Sequence, residues 1–283
     1  MAATEKNTIQ PRQHWPRAAT DLYLRDANRI EAMNGPFGEA MFDAAQLQAG
    51  ERVLDVGCGN GTTTLDAARR VLPDGTAVGI DITADLLNVA RGHAAAAGLD
   101  NVQFVDADAQ IHPFREADFD AVISRFGIMF FDDPDAAFAN LGRAVRPNGR
   151  LVTVCPSDPR HSQWVTVAFA AAAPHVGLPD LGPPGTPGPF AFADPNRLER
   201  AIYAGGFQDI TVVPITRAVR IGNNIDDVVD FITSLPESHQ LFEGQPAEKI
   251  AAAIGALREG FAPFAGANGV VIDESAWLAS ARR

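Results

Sequence analysis

The residues of this 283-residue chain whose types and spacing suit chemistry begin with one stretch, Val53-Leu54-Asp55-Val56-Gly57-Cys58-Gly59-Asn60-Gly61. An apolar run there carries an aspartate and then meets glycines at every second position. Glycine has no Cβ, so such a loop takes positive φ and lets a bulky ligand lie against bare backbone. Thr62, Thr63 and Thr64 follow with capping hydroxyls, and Leu65, Ala68, Val71 and Leu72 recur at helical spacing. Strand, glycine loop and helix together make a nucleotide-binding βα unit, with Asp55, Gly57, Cys58, Gly59, Asn60 and Gly61 as its candidate ligand contacts.

More acids stand where further strands end. Thr76–Asp81 reads as a second strand, and Asp81, twenty residues beyond Gly61 and followed by Ile82, is placed to accept both hydroxyls of a ribose. The competing reading makes Asp81 a carboxylate at the N-terminus of the next helix, Ala84–Ala97, which Gly98 stops. A third strand, Asn101–Asp106, leads to Asp108 and Ala109, and Phe119–Ser124 is a short apolar run typical of a central parallel strand, followed by Arg125.

The dinucleotide fingerprint needs glycines at its first, third and sixth positions; counted from Gly57, the sixth is Thr62. The loop has no lysine, which excludes a Walker-type phosphate cradle. Asp-x-Gly-x-Gly-x-Gly instead resembles motif I of the class I S-adenosylmethionine-dependent methyltransferases, of the small-molecule or natural-product type. The resemblance covers about residues 50–221 and 276–283. It implies an α/β fold with a Rossmann-like, seven-strand, mostly parallel sheet and helices on both faces, its last strand reversed in a hairpin with the sixth. It also implies S-adenosylmethionine as cofactor and S-adenosylhomocysteine as product. In that reading Asp108, with Ala109, accepts from the adenine amino group in preference to Asp106, and Ser124 and Arg125 approach the methionine part. The segment Pro134–Cys155, a helix, an Arg-Pro-x-Gly turn and a strand, matches the family's pattern except that Asn148 stands where glycine is more usual.

Other elements must position these groups. Residues 1–48 read as an N-terminal lid of two helices joined by a turn near Asn34-Gly35-Pro36. The core spans 49–221 and 276–283, and 156–193 is a loop insertion whose Pro/Gly-dense part is expected to cross the active-site mouth. Residues 222–275, helical by pattern over Asp226–Phe264, form a cap between the last two strands. These three segments are expected to cover the cofactor's methyl group together.

Acidic residues outnumber basic ones, 35 to 23, for a net charge of −12. Such a surface opposes a phosphate backbone or an anionic membrane, which argues against nucleic acid as partner. The N-terminal residues lack a signal-peptide core and no apolar run is long enough to span a bilayer, so cytoplasmic residence is the expectation. Cys58 and Cys155 are the only cysteines, too few for a disulfide scaffold and without zinc-ligand spacing; no metal is expected.

A sulfonium methyl is already a good electrophile, so the protein's task is to hold an O, N or C nucleophile in line at about 3–3.5 Å, an orientation worth roughly 7–11 kcal/mol. A histidine suits removal of the nucleophile's proton. His14 and His161 lie in the covering segments beside Trp15 and Trp164, Tyr23 offers a hydroxyl or a ring, and Phe130 is a candidate wall. The acceptor is expected to be a small molecule or a short peptide, and the chain a monomer or homodimer. Two alternatives stay open: a Rossmann-type nicotinamide oxidoreductase, which needs the glycine that Thr62 replaces, and a non-catalytic cofactor-binding partner subunit.

Overall fold

The structure, a computed structural model, describes residues 16–179 and 183–283. Its elements run α1 (Arg17–Arg25), α2 (Ala27–Ala45), β1 (Arg52–Val56), α3 (Thr62–Arg70), β2 (Thr76–Asp81), α4 (Ala84–Ala97), β3 (Val102–Asp106), β4 (Phe119–Arg125), α5 (Pro134–Ala144) and β5 (Val145–Pro156). There follow α6 (Gln163–Val176), α7 (Pro195–Ala204), β6 (Gln208–Gly222), α8 (Ile225–Thr233), α9 (Pro236–Phe242), α10 (Ala247–Phe261), β7 (Ala265–Gly266) and β8 (Gly269–Arg282). Short 3-10 turns stand at Ile128–Phe130, Pro159–His161 and Ala262–Phe264.

One sheet carries the strands in the order β3-β2-β1-β4-β5-β8-β6, with the two-residue β7 paired to β8. β1 to β5 are parallel, and β8 runs antiparallel between β5 and β6. The expected Rossmann-like, mostly parallel α/β class is thus the observed one. Strand order reverses between β1 and β4, and a ligand of such a sheet lies in the crevice beyond the carboxyl ends of the strands there. Both faces of the central strands β1, β2 and β4 are covered, which is why these are buried almost throughout, whereas the edge strand β6 alternates and is largely exposed. Val53 joins the core under α2, α3, α6, α8 and α10, while its neighbour Leu54 joins the core under α5 and α7.

Asn148 sits at φ 66° in the turn of the β5 segment, a left-handed conformation that asparagine tolerates, so the usual glycine is dispensable. The lid departs from expectation. α2 runs unbroken through Pro36, and the break falls at Asp26 instead. Proline at that position removes one hydrogen bond, and packing restores the helix: Phe37, Met41, Phe42 and Ala45 are all buried against the sheet. Arg150 of β5 pins its end, donating to the Gln46 carbonyl at 3.1 Å and to the carbonyl of Ala45, and pairing at 2.7 Å with both carboxylate oxygens of Glu51.

The cap between β6 and β8 is three helices, interrupted before Pro236 and again before Pro246. β8 begins at Gly269, earlier than position 276, because Asp273 and Glu274 disguise a strand that otherwise alternates in burial. Glu274 is buried yet satisfied. Its carboxylate accepts from the Ser162 hydroxyl and, at 2.9 Å, from the Trp164 N–H, closing the N-terminus of α6. Among the described residues no helix is long and apolar enough to cross a membrane.

Burial pushes the Glu274 carboxyl up to about 7, from an ordinary value of 4.5. The folded chain therefore holds this proton more tightly than the unfolded chain. The stability it contributes is complete below about pH 4.5 and is lost as pH rises through about 7. At about 1.36 kcal/mol per pH unit, the loss is at most about 3 kcal/mol. Glu274→Gln keeps an acceptor for Trp164 and removes the titration, so its thermal midpoint should fall less between pH 4.5 and 7.5 than that of the parent. Parallel melting curves of the two proteins over this range would show that Glu274 does not titrate in the folded state.

Candidate active site

Each glycine of the loop after β1 has its own reason to lack a side chain. All three have left-handed backbone, with φ of 69° at Gly57, 52° at Gly59 and 84° at Gly61. A Cβ on Gly57 would lie 2.7 Å from the Cα of Gly127, in the loop after β4, and one on Gly61 would lie 2.7 Å from the Cβ of Ala90 on α4. A Cβ on Gly59 would meet no protein atom within 4 Å; it would enter the cleft. Gly57 and Gly61 therefore let protein pack against protein, and only Gly59 leaves its space to a ligand.

That cleft lies over the carboxyl ends of β1, β2 and β4. Gly57, Cys58, Gly59, Asn60, Asp81, Ile82, Asp108, Ala109, Arg125 and Phe130, all singled out from sequence, line it. One Asp81 oxygen accepts from the Gly59 N–H at 2.9 Å, and the other accepts from the Thr83 N–H at 2.9 Å. Asp81 thus fastens the glycine loop and holds Thr83, the residue that opens α4, while facing the cleft. Burial raises its pKa, and the donated N–H groups of Gly59 and Thr83 oppose the rise. Asp108 accepts from the Gln110 N–H at 2.8 Å, which turns the chain so that Ala109 and Gln110 are buried at the rim. Asp106 lies beside Asp81 in register but is exposed and outside the lining.

Two predicted contacts face inward instead. Asp55 is buried beneath the loop, accepts from the Thr64 hydroxyl at 2.7 Å, and is pushed up to about 7 by burial. Ser124 donates its hydroxyl to the Val56 carbonyl at 2.7 Å and is fully buried, tying β4 to β1. Neither lines the cleft, and Gly61 does not line it either. The Cys58 thiol is raised well above its ordinary pKa by burial, so it is a packing group rather than a nucleophile.

The lid closes one side. Tyr23, Ile30, Glu31 and Asn34 reach the cleft from α1 and α2. Glu31 receives both guanidinium branches of Arg125, at 2.8 and 2.7 Å, a bidentate pair in which Arg125 is only 11% exposed. Phe126, next in the chain, is held at φ 58°, and its ring meets Phe37 of α2 edge-on at 5.6 Å between centroids. Burial raises the pKa of the Tyr23 phenol, the Arg125 charge lowers it and the Asp81 charge raises it, so the hydroxyl stays protonated at neutral pH.

Several predicted substrate groups are not brought together. His14 and Trp15 lie outside the described residues. His161 is exposed on its 3-10 turn, and Trp164 lines a second cavity, between α6, α8, α9, α10 and the Pro-rich segment. No described residue of 156–193 or 222–275 lines the cofactor cleft, so of the three expected covering segments, among the described residues, only α1 and α2 reach it; the Pro-rich segment walls the second cavity. Sequence reading missed Glu31, Asn34, Thr83, Gln110 and Asp132 in the cleft. Glu31 had no local signal, since its partner lies 94 positions away. Among the described residues, no group of three His, Cys, Asp or Glu side chains is placed to hold a metal.

Comparison with known proteins adds a family. A family model described as a methyltransferase domain matches residues 47–173. Nocamycin O-methyltransferase of Saccharothrix syringae is 30% identical over 200 residues, 66% of this chain and 69% of that protein. An uncharacterised protein of Mycobacterium bovis is 39% identical over 121 residues, so the match spans 43% of each chain. The solved structure of an S-adenosylmethionine-dependent methyltransferase from Aquifex aeolicus shares the fold with a TM-score of 0.51 and 20% identity, covering 73% of this chain and 93% of that one.

The three glycines should separate on substitution. Gly57→Ala adds a clash with the Gly127 backbone to a left-handed backbone penalty of about 1–2 kcal/mol, so a loss of about 3 kcal/mol or more is expected. Gly59→Ala has only the backbone penalty and should stay within about 2 kcal/mol of the parent. Urea denaturation of both variants measures the difference, and equal losses would contradict the assigned roles.

Proposed function

We propose that this chain, which belongs to the class I S-adenosylmethionine-dependent methyltransferases, transfers a methyl group by in-line displacement to an O, N or C nucleophile of a small molecule. One observation carries the reading: the glycine loop, Asp81 and Asp108 converge on a single cleft at the strand-order reversal, with Gly59 open toward it. Nicotinamide chemistry lacks its glycine, since Thr62 opens α3.

When bound, S-adenosylmethionine supplies a sulfonium methyl whose carbon–sulfur bond breaks as the bond to the acceptor forms, leaving a neutral thioether and releasing the acceptor's proton where it has one. The chain's own residues bind and orient. The backbone at Gly59 would give close approach, Asp81 would accept from the ribose hydroxyls, and Asp108 would accept from the adenine amino group. Ile82 and Ala109 contribute apolar walls to the same cleft. Arg125, the one Arg or Lys among the described lining residues, meets the methionine end while Glu31 steadies it. Tyr23 and Phe130 border the site from the lid and from the turn after β4, excluding water. A small-molecule acceptor agrees with the net charge of −12, which opposes nucleic acid, and with the Saccharothrix relative being a nocamycin O-methyltransferase. The proposed setting is a cytoplasmic monomer or homodimer.

Calorimetry with S-adenosylhomocysteine tests the site. A hydrogen bond to a charged group is worth about 1.5–3 kcal/mol, so Asp81→Asn should weaken binding roughly ten- to a hundredfold. Removing the ribose hydroxyls from the ligand should then harm the parent much more than the variant. Equal losses in both would leave Asp81 only its loop and helix duties, and a parent that binds no S-adenosylhomocysteine would overturn the reading.

A further inference from the structure

The second cavity encloses about 460 Å³, within the range of about 300–1,000 Å³ typical of small-molecule sites. Its walls are Trp164 and Phe169 of α6, Phe190 of the Pro-rich segment, Leu241 and Phe242 of α9, and Leu257 of α10. No Lys, Arg, His, Asp or Glu stands among the described residues that line it. Its two hydroxyls are already donated to backbone, Thr186 to the Pro183 carbonyl at 2.7 Å and Ser238 to the Ile232 carbonyl at 2.6 Å. The Glu274 carboxylate at the start of α6 is engaged by Ser162 and the Trp164 N–H.

The cavity adjoins the cofactor cleft across the turn Ile128–Phe130. Phe130 lines the cleft, and the Met129 carbonyl accepts at 3.0 Å from the N–H of Gly188, a wall residue of the cavity. One turn of chain thus separates the two cavities.

We infer that this cavity holds the body of the methyl acceptor and that this body is uncharged and apolar, excluding phosphorylated or carboxylated chains from it. The inference rests on the methyltransferase reading for the identity of the occupant, but its chemistry stands on the walls alone. An anion seated there would lose its hydration and gain no cation, an expensive burial, whereas an apolar body exchanges water for aromatic and aliphatic surface. Specificity then comes from rejecting charge as much as from fit.

The probe is N-phenyl-1-naphthylamine, a neutral fluorophore, followed in the full chain with S-adenosylhomocysteine present. Saturable binding is expected, with displacement by dodecanol at least tenfold more effective than displacement by dodecyl phosphate. Ala172→Trp, from the wall on α6, should weaken the probe at least tenfold while S-adenosylhomocysteine affinity by calorimetry is unchanged, which also reports a folded variant. Should that variant not fold, Leu241→Arg is the second: it places a permanent cation in the wall and should bring dodecyl phosphate to parity with dodecanol or beyond. The inference is overturned if dodecyl phosphate displaces the probe from the parent as well as dodecanol does, or if Ala172→Trp binds the probe unchanged. A parent that binds the probe as described but no S-adenosylhomocysteine refutes the occupant's role as a methyl acceptor and leaves the cavity an apolar-ligand site.

Discussion

The loops after β1 and β4 cross at a backbone separation that admits no side chain. A Cβ on Gly57 would lie 2.7 Å from Gly127, and one on Gly127 would lie 2.4 Å from the Val56 carbonyl. Everything in the cleft depends on that crossing. β1 and β4 are hydrogen-bonded neighbours, Ser124 braces the Val56 carbonyl beneath them, and the two loops diverge above to leave space over Gly59. Asp81 adds the third side by holding the Gly59 N–H, so the loop is positioned by contacts within the protein. Such preorganisation lowers the ordering penalty that a ligand would otherwise meet.

The lid is fastened to the same floor by charge and by ring packing. Arg125 leaves the end of β4, is nearly buried, and is paired bidentately with Glu31; Phe126, strained at φ 58°, packs on Phe37. Glu31 keeps access to solvent while Arg125 is largely buried, so breaking the pair would leave the guanidinium poorly solvated. Strained backbone beside a binding cleft persists where surrounding contacts over-determine it, and here α2 supplies those contacts. Gly38 makes the approach feasible, since a Cβ there would sit 3.1 Å from the Arg125 side chain.

What was legible in the sequence was local. The glycine loop, the strand alternation, and acids at strand ends follow from periodicities of two and 3.6 residues and put Asp81 at the cleft, while Asp108 was marked by the family resemblance. Glycine spacing marked a loop but not which glycine faces a ligand, because that depends on Gly127 and Ala90, far away in sequence. Likewise Ser124 and Asp55 sit at the right strand ends but point into the sheet's support, a direction that spacing does not encode. Pro36 suggested a break that tertiary packing overrides, and two acids hid the first half of β8, one of them buried through contacts 110 and 112 positions away. Aromatic and histidine side chains near Trp164 carried no direction at all, and the fold sends Trp164 to the apolar cavity and His161 to solvent.

The two cavities divide the electrostatics of methyl transfer. Among the described residues the cofactor cleft carries Glu31, Asp81, Asp108 and Asp132 against Arg125, an excess of negative charge near a reactant whose sulfur is cationic. The product's sulfur is neutral, so the same field favours the reactant over the product and assists product departure. The neighbouring cavity has no charge among its described walls, and an apolar acceptor body there would shield the reaction site from water without competing for those carboxylates. With Tyr23 protonated, Asp81 and Asp108 engaged by backbone N–H groups and Glu31 paired with Arg125, these residues bordering the site serve orientation better than proton removal. Holding the nucleophile in line would then supply most of the acceleration, as expected for displacement at an already activated methyl carbon.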